Sequence, residues 1–356
     1  MAIVVEQDTK YRGLTYIQAE EPEDPMVADT WLDAVNNVRV WDGLQWIYWK
    51  SGLGQNFGYL IGGGQLTSTY RSTIDRILFP FNSGVALHIG NLTTSRRSGS
   101  ACNSSEYAYG IAGTNGSNIS TIDRILFPFD SGTSIVVGNI PQQRSDSAAC
   151  NSSTYGFIWG GGDGSALTTI TRITFPFDSG TASDVGNIDA TRNLGCCFNS
   201  SNYGYYSGGY ISPAFYSTIS RILFPFNTGT SNAVGNLNVS KRQFGACNSS
   251  DYGYDMAGGW ATYISSVERI TFPFDSGTAT NVGVLSQIKK AGAGCNSTDY
   301  GYALGGLADG GGTTYSIIDR ISFPFDSGGS SNVGNLSASV NDTHATDGTD
   351  FVSLFV

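Results

Sequence analysis

Charge is scarce in this chain: Lys, Arg, Asp and Glu make up 13% of its 356 residues, about half the usual share. That leaves little material for the charged faces of long amphipathic helices. Basic residues are the scarcer sign, 19 against 29 acidic, for a net charge of −10. Phosphate neutralisation needs clustered Lys and Arg, so no nucleic-acid partner is expected. The two histidines, His88 and His344, cannot build a multi-histidine centre, and no Cys-x-x-Cys pair is present to clip zinc. No metal and no cofactor are expected. No apolar run approaches the ~20 residues that cross a bilayer, so membrane insertion is not expected. The start, from Met1 to Gly13, lacks the basic flank, apolar stretch and cleavage site of a secretory signal, so export by that route is not expected either.

Glycine is abundant, with 47 copies, and 40% of the residues are hydrophobic and 12% aromatic. Turns are therefore frequent and a core can be buried, which excludes general disorder. A single large all-β domain fits this composition better than two mixed ones.

Internal repetition organises the chain. Arg-Ile-x-Phe-Pro-Phe recurs with its arginine at Arg76, Arg124, Arg172, Arg221, Arg269 and Arg320, spaced by 48, 48, 49, 48 and 51 residues. An aromatic second-strand motif keeps the same period at Tyr107, Tyr155, Tyr203, Tyr252 and Tyr300, with Phe57 before and Phe351 after. Each unit reads as four short strands. The first runs from a basic residue (Arg96, Arg144, Arg192, Lys241, Lys289) to a Cys-Asn-Ser turn, and the second is Tyr-Gly-Tyr-x-x-Gly-Gly. The third alternates apolar and polar residues up to a proline suited to a strand end, and the fourth ends in Val-Gly-Asn. An Asp/Asn-Ser/Thr-Gly turn joins the last two. Four strands per ~48 residues is the size of a β-propeller blade.

The Gly-Gly pairs at Gly62, Gly161, Gly208, Gly258 and Gly305, placed after an aromatic strand, resemble the kelch repeat over roughly residues 46–356. The unit at Tyr107 keeps only Gly113, and the kelch fourth-strand tryptophan is absent. The expectation is an all-β, kelch-like β-propeller spanning 28–356. Seven blades with a split closing blade are favoured, because Phe351 to Val356 repeats the second strand and the meander Ala28 to Trp49 could supply outer strands. Six blades are the alternative.

Residues 1–27 differ in kind. Glu20-Glu21-Pro22-Glu23-Asp24-Pro25 reads as an extended, solvated linker. The aromatic meander at 28–49 resembles the one preceding the distal modules of bacteriophage tail fibres, and the FPFDSGT and GN(S/T)xYGYxxGG patterns resemble repeat proteins of phages of marine cyanobacteria. The resemblance implies a virion protein, assembled in the host cytoplasm, whose segment 1–27 docks to tail or baseplate proteins while the propeller meets a host receptor, a glycan or a protein. It leaves room for a homo-oligomer. The alternatives are a structural or decoration protein of the head or tail, and a surface-glycan hydrolase.

Repeated positions read as structural. Cys102, Cys150, Cys247 and Cys295 occupy one place in successive units, too far apart for disulfides, and are expected as buried free thiols. The Asn-Ser-Ser/Thr triplets at Asn103, Asn151, Asn199, Asn248 and Asn296 match a glycosylation sequon but also suit hairpin turns in which asparagine takes a left-handed conformation. The six arginines from Arg76 to Arg320 are expected to pair with a neighbouring acid (Asp75, Asp123, Glu268, Asp319) or to stack on an aromatic of the next blade. No catalytic constellation stands out, and no enzyme is expected. Recognition is assigned instead to the loops that vary between units, and to the aromatics they carry: Tyr70, Tyr210, Phe215, Tyr216, Trp260, Tyr263 and Tyr315.

Overall fold

A computed structural model describes residues 57–348 except 67–68, 260–261 and 311, together with Asp29 and the strands at 16–17, 30–32, 38–41 and 46–48. The chain divides into two compact units, residues 1–55 with 350–356, and residues 56–349. Among the described residues there is no helix.

The N-terminal unit holds one four-stranded sheet. The expected meander is present as antiparallel strands Thr30–Leu32, Val38–Trp41 and Trp46–Tyr48. Tyr16–Ile17, inside the 1–27 segment expected to be extended and ahead of its acidic linker, lies parallel to the first of them. Phe351 to Val356, expected to begin a seventh blade, lies outside the described residues.

The larger unit repeats a four-stranded antiparallel set, to which sheet 1 adds Gly132–Thr133 running parallel to Leu87–Arg96. Sheet 2 is typical: Ser100–Asn103, Tyr107–Thr114, Asn118–Leu126 and Ile135–Asn139 pair in chain order. Sheets 3, 4, 5 and 6 begin at Ala148–Asn151, Cys196–Asn199, Gly245–Asn248 and Ala293–Asn296. Sheets 5 and 6 also join through Lys289 and Lys290, which pair with Ala308 and Leu307. Sheet 1 draws on both ends of the unit. Its strands Phe57–Gly63, Arg71–Leu78 and Leu87–Arg96 are completed by His344–Gly348, which pairs with Phe57–Gly63.

The local pattern follows burial. Second strands are buried on both faces, as in Phe57–Gly63, while third strands alternate and end with an exposed residue just before the Phe-Pro-Phe motif. The basic residue expected to open each first strand instead precedes it; Arg96, for example, closes the fourth strand of sheet 1.

A stacked-ring joint links each sheet to the next, and in every case except Phe157 on Phe224 a tyrosine hydroxyl adds a hydrogen bond to it. The fully buried Tyr109 stacks on Phe175, ring centroids 5.3 Å apart, and its hydroxyl accepts the amide of Phe177 at 2.9 Å. Tyr59 repeats this with Phe127 and Phe129, and Tyr254 with Phe323 and Phe325. Tyr302 of sheet 6 does the same with Phe79 and Phe81 of sheet 1, at 5.0 and 3.0 Å. Such aromatic pairs contribute roughly 0.5–1.5 kcal/mol each beyond the area they bury.

The recurring arginines belong to this joint, by a route the sequence reading did not anticipate. Each lies over the leading aromatic of its own unit, as Arg124 does over Tyr107 at 4.3 Å, and reaches the Asp-Ser-Gly turn of the next unit, where it donates to the Phe177 carbonyl and pairs with Asp178. Arg320 reaches Phe81 and Asn82 in the same way. The acids adjacent to these arginines serve a different partner, the buried basic residue ahead of the first strands. Arg96 pairs with Asp123, Lys241 with Glu268 at 3.0 Å and Lys289 with Asp319 at 3.0 Å. Where the acid is replaced by Thr171 or Ser220, a hydroxyl accepts from Arg144 or Arg192, and Asp184 or Asp189 stands behind it. Where the cation is replaced by Val340, Asp75 accepts the amide and hydroxyl of Ser337 instead. Each buried charge is thus compensated, which its desolvation cost requires.

Two further corrections concern the first strands. None of the asparagines before the Ser-Ser/Thr turns is left-handed. The serine hydroxyl closes the turn, as Ser104 Oγ does by accepting the Tyr107 amide at 3.0 Å, while the Asn151 and Asn296 carboxamides accept amides of Asn103 and Asn248 from the preceding sheet. The cysteines are free, and four are buried. Cys102, Cys150, Cys247 and Cys295 face glycines of the neighbouring second strand, leaving no room there for a side chain.

Candidate functional site

At one end of the sheets the chain crosses from each fourth strand to the next first strand through a residue in the left-handed region: Ser98, Asp146, Leu194, Gln243, Ala291 and Asp342, with φ between 49° and 60°. Non-glycine residues hold such a conformation only where their surroundings fix it. Here the fixing contact is a hydrogen bond from each to its predecessor. Asp146 donates its amide to Ser98, Leu194 to Asp146, Gln243 to Leu194, Ala291 to Gln243, Asp342 to Ala291 and Ser98 to Asp342, at 2.6–3.0 Å.

The residue before each of these pairs with the end of a second strand, as Arg97 does with Thr114 and Arg242 with Gly259. Its chemistry changes from unit to unit: Arg97, Ser145, Asn193, Arg242, Lys290, Asn341. Around these positions lies a cavity of about 410 Å³, lined by the cations Arg97, Arg242 and Lys290, by the acids Asp146 and Asp342, and by polar side chains including Ser145 and Gln243.

Electrostatics inside the cavity are mixed. Burial pushes the Asp342 carboxyl up to about 6, helped by the nearby Asp146 and opposed by Arg97 and Lys290. Asp146 is raised as well, again chiefly by burial, against the hydroxyls of Ser98 and Ser145 and the charges of Arg97 and Arg242. Arg97 contacts Asp342 at 3.8 Å and donates to the Leu66 carbonyl at 2.8 Å. Arg242 and Lys290 make no side-chain hydrogen bond or ion pair among the described residues. They are steadied by rings, Arg242 over Tyr210 at 4.3 Å and Phe215 at 5.4 Å, and Lys290 over Tyr263 at 4.6 Å.

The described aromatics singled out in the sequence therefore do not line the cavity. Tyr210 and Phe215 face each other across the short hairpin Tyr210–Ile211/Ala214–Phe215, ring centroids 4.8 Å apart. Tyr70 lies under Arg97 at 5.4 Å and Tyr216 under Arg192 at 5.6 Å. Tyr315 is half-buried, and its carbonyl accepts the Val340 amide. All six are half-buried, and five have one face covered by a basic side chain; Trp260 lies outside the described residues. Sequence reasoning missed Arg97, Arg242 and Lys290. The available signal was the one repeat position next to a constant basic residue that does not itself stay constant.

Among the described residues no group of three or more His, Cys, Asp and Glu side chains is placed to hold a metal ion. No family model matches the chain, and no curated protein matches it.

Proposed function

We propose that residues 57–348 form a kelch-like β-propeller of six blades, and that this propeller is a non-enzymatic recognition module. Support for closure comes from the joints: stacked rings, arginine-to-turn bonds and the chain of left-handed residues each recur between sheets 6 and 1 as between consecutive sheets. The His344–Gly348 strand then acts as the clasp that brings the two ends of the unit into one blade. Seven blades would need a further strand set between sheets 6 and 1, where these joints already lie.

The observation that carries the recognition reading is the contrast in repeat chemistry. Positions that build the joints are held nearly constant, whereas those lining the cavity differ from unit to unit. A scaffold needs sameness, and a single asymmetric ligand needs difference. With the resemblance to phage repeat proteins, this supports a virion adhesin of the tail-fibre type, in which residues 1–27 dock to the particle and the propeller's variable face meets a host-surface glycan or protein.

The test is attachment. Purified protein should bind whole cells of a susceptible cyanobacterial host saturably, and replacing the hairpin from Tyr210 to Phe215 by a Gly-Ser turn should lower the bound fraction at least tenfold without unfolding the protein. A protein that attaches to no host cell, or attaches equally well after the replacement, would count against the reading.

A further inference from the structure

The cavity combines features that narrow its ligand. Although the chain carries a net charge of −10, three of its basic side chains converge on one opening of about 410 Å³, a size in the range of small-molecule sites. Their charge is only partly answered locally: among the described residues Arg97 alone of the three forms an ion pair, with Asp342, while Arg242 and Lys290 act on Asp146 and Asp342 without contacting them. Arg242 and Lys290 rest on Tyr210 and Tyr263. A cation held against a ring face keeps its N–H donors available at its edge.

The net count also selects among anions. Three cations and two acids line the cavity, so with every group ionised the excess is one positive charge (3 − 2). A single carboxylate neutralises that excess. A phosphate dianion would overshoot it beside Asp146 and Asp342, and like charges at close range repel. The remaining lining is suited to hydroxyl groups: two carboxyls can accept from them, and the Ser145 hydroxyl and Gln243 carboxamide can both donate and accept.

From this we infer that the cavity binds one carboxylate-bearing sugar residue, its carboxylate held by Arg242 and Lys290 and its hydroxyls directed to Asp146 and Asp342. The inference deepens the recognition reading and rests on it for its biological setting, but the chemistry can be tested alone. The floor of the site is backbone, locked by the bonds joining Ser98, Asp146, Leu194, Gln243, Ala291 and Asp342, so the charged groups are presented on a rigid base and little ordering is needed on binding.

Calorimetric titration of the full chain with glucuronate, galacturonate and N-acetylneuraminate tests it, with glucose and glucose 6-phosphate as controls. At least one carboxylated sugar should bind saturably with one site per chain, and glucose and glucose 6-phosphate should each bind at least tenfold more weakly. Arg242→Gln and Lys290→Gln should each weaken binding tenfold or more at unchanged melting temperature. The methyl ester of the bound sugar should lose binding with the protein untouched, which keeps the inference testable if a variant fails to fold. Absence of saturable binding by all three acids, equal or tighter binding of a control, or unaltered affinity in both folded variants overturns it. Cell attachment that survives in both variants and is not competed by these sugars overturns the inference and leaves the recognition reading standing. Saturable sugar binding by a protein that attaches to no cell does the reverse.

Discussion

The amide of Ser98 donates to the carbonyl of Asp342 at 2.8 Å, joining the crossing after sheet 1 to the crossing that leads back into it. That bond sits beside the His344–Gly348 strand, which pairs along Phe57–Gly63 from His344↔Ile61 to Gly348↔Phe57. Ends far apart in sequence thus share one sheet, and the stability of the whole unit is tied to a few residues near its C-terminus.

A chain ending at Thr343 should accordingly be much less stable. Removing the strand strips sheet 1 of its first member and exposes Leu60, Ile61 and Cys295, all buried in the intact unit. At ~1 kcal/mol for each lost backbone hydrogen bond, the cost is on the order of 5 kcal/mol before any apolar exposure is added. Thermal denaturation followed by circular dichroism should show a fall of 10 °C or more. An unchanged midpoint would mean that His344–Gly348 is not a clasp.

How much of this was legible in the sequence depends on repetition. The four-strand unit could be read because Arg-Ile-x-Phe-Pro-Phe and Tyr-Gly-Tyr recur with period and register intact. The clasp could not, because His344-Ala345-Thr346-Asp347 keeps none of the Cys-Asn signature of the other first strands: Thr346 stands at the cysteine place and Asp347 at the asparagine place. Its neighbour changes in step, since Ala108 occupies the place held elsewhere by the glycine that faces a thiol. The cavity was hidden for the opposite reason, because residues that change between units without period leave no pattern for a repeat to reveal. Only the fold shows that Arg97, Arg242 and Lys290 converge.

The buried pair Arg96–Asp123 should prove asymmetric under mutation. Asp123 also accepts from the Thr93 hydroxyl at 2.6 Å and the Ser134 hydroxyl at 2.6 Å, so it keeps partners when the cation is lost. Arg96 relies on Asp123 for its charge and on long bonds to the Ala112 and Thr121 carbonyls. Asp123→Ala should then cost ~3–5 kcal/mol by leaving a buried guanidinium without a counter-charge, and Arg96→Val should cost less. Within this chain Val340 already stands at the place of the cation, and there Asp75 is held by Ser337 and approached by His88 at 3.5 Å. Urea denaturation of both variants decides it, and a larger loss for Arg96→Val would reverse the argument.

Asp255 should make stability depend on pH. Burial pushes its carboxyl up to about 7, opposed by Lys241 and by the Ser207 hydroxyl bonded to it at 2.9 Å. A folded-state value above the unfolded one means that the native protein binds the extra proton. The stability associated with this group is therefore fully present below about pH 4 and is lost as pH rises toward 7. Asp255→Asn removes that loss, so the variant should gain on the wild type between pH 5 and pH 8 in urea denaturation. A difference between the two proteins that stays constant over this range would show that Asp255 is already ionised at pH 5.

The joint between sheets makes a steric prediction at Gly301. A methyl group there would lie 2.5 Å from the Cys247 sulfur and 3.0 Å from the Phe323 ring, both packed in the adjoining cluster. Gly301→Ala should therefore destabilise by ~1–3 kcal/mol through overpacking. The clash is with a thiol, so it can be relieved from the other side. Adding Cys247→Ala removes the sulfur and gives the new methyl space, and the double variant should recover part of the loss even though Cys247→Ala alone creates a cavity and costs stability. A coupling of 0.5 kcal/mol or more in a double-mutant cycle is the expected reading for residues in contact. Strict additivity would mean that the strand carrying Gly301 moves away from the thiol as a whole, and that the thiol-on-glycine contact is not what fixes the spacing of neighbouring sheets.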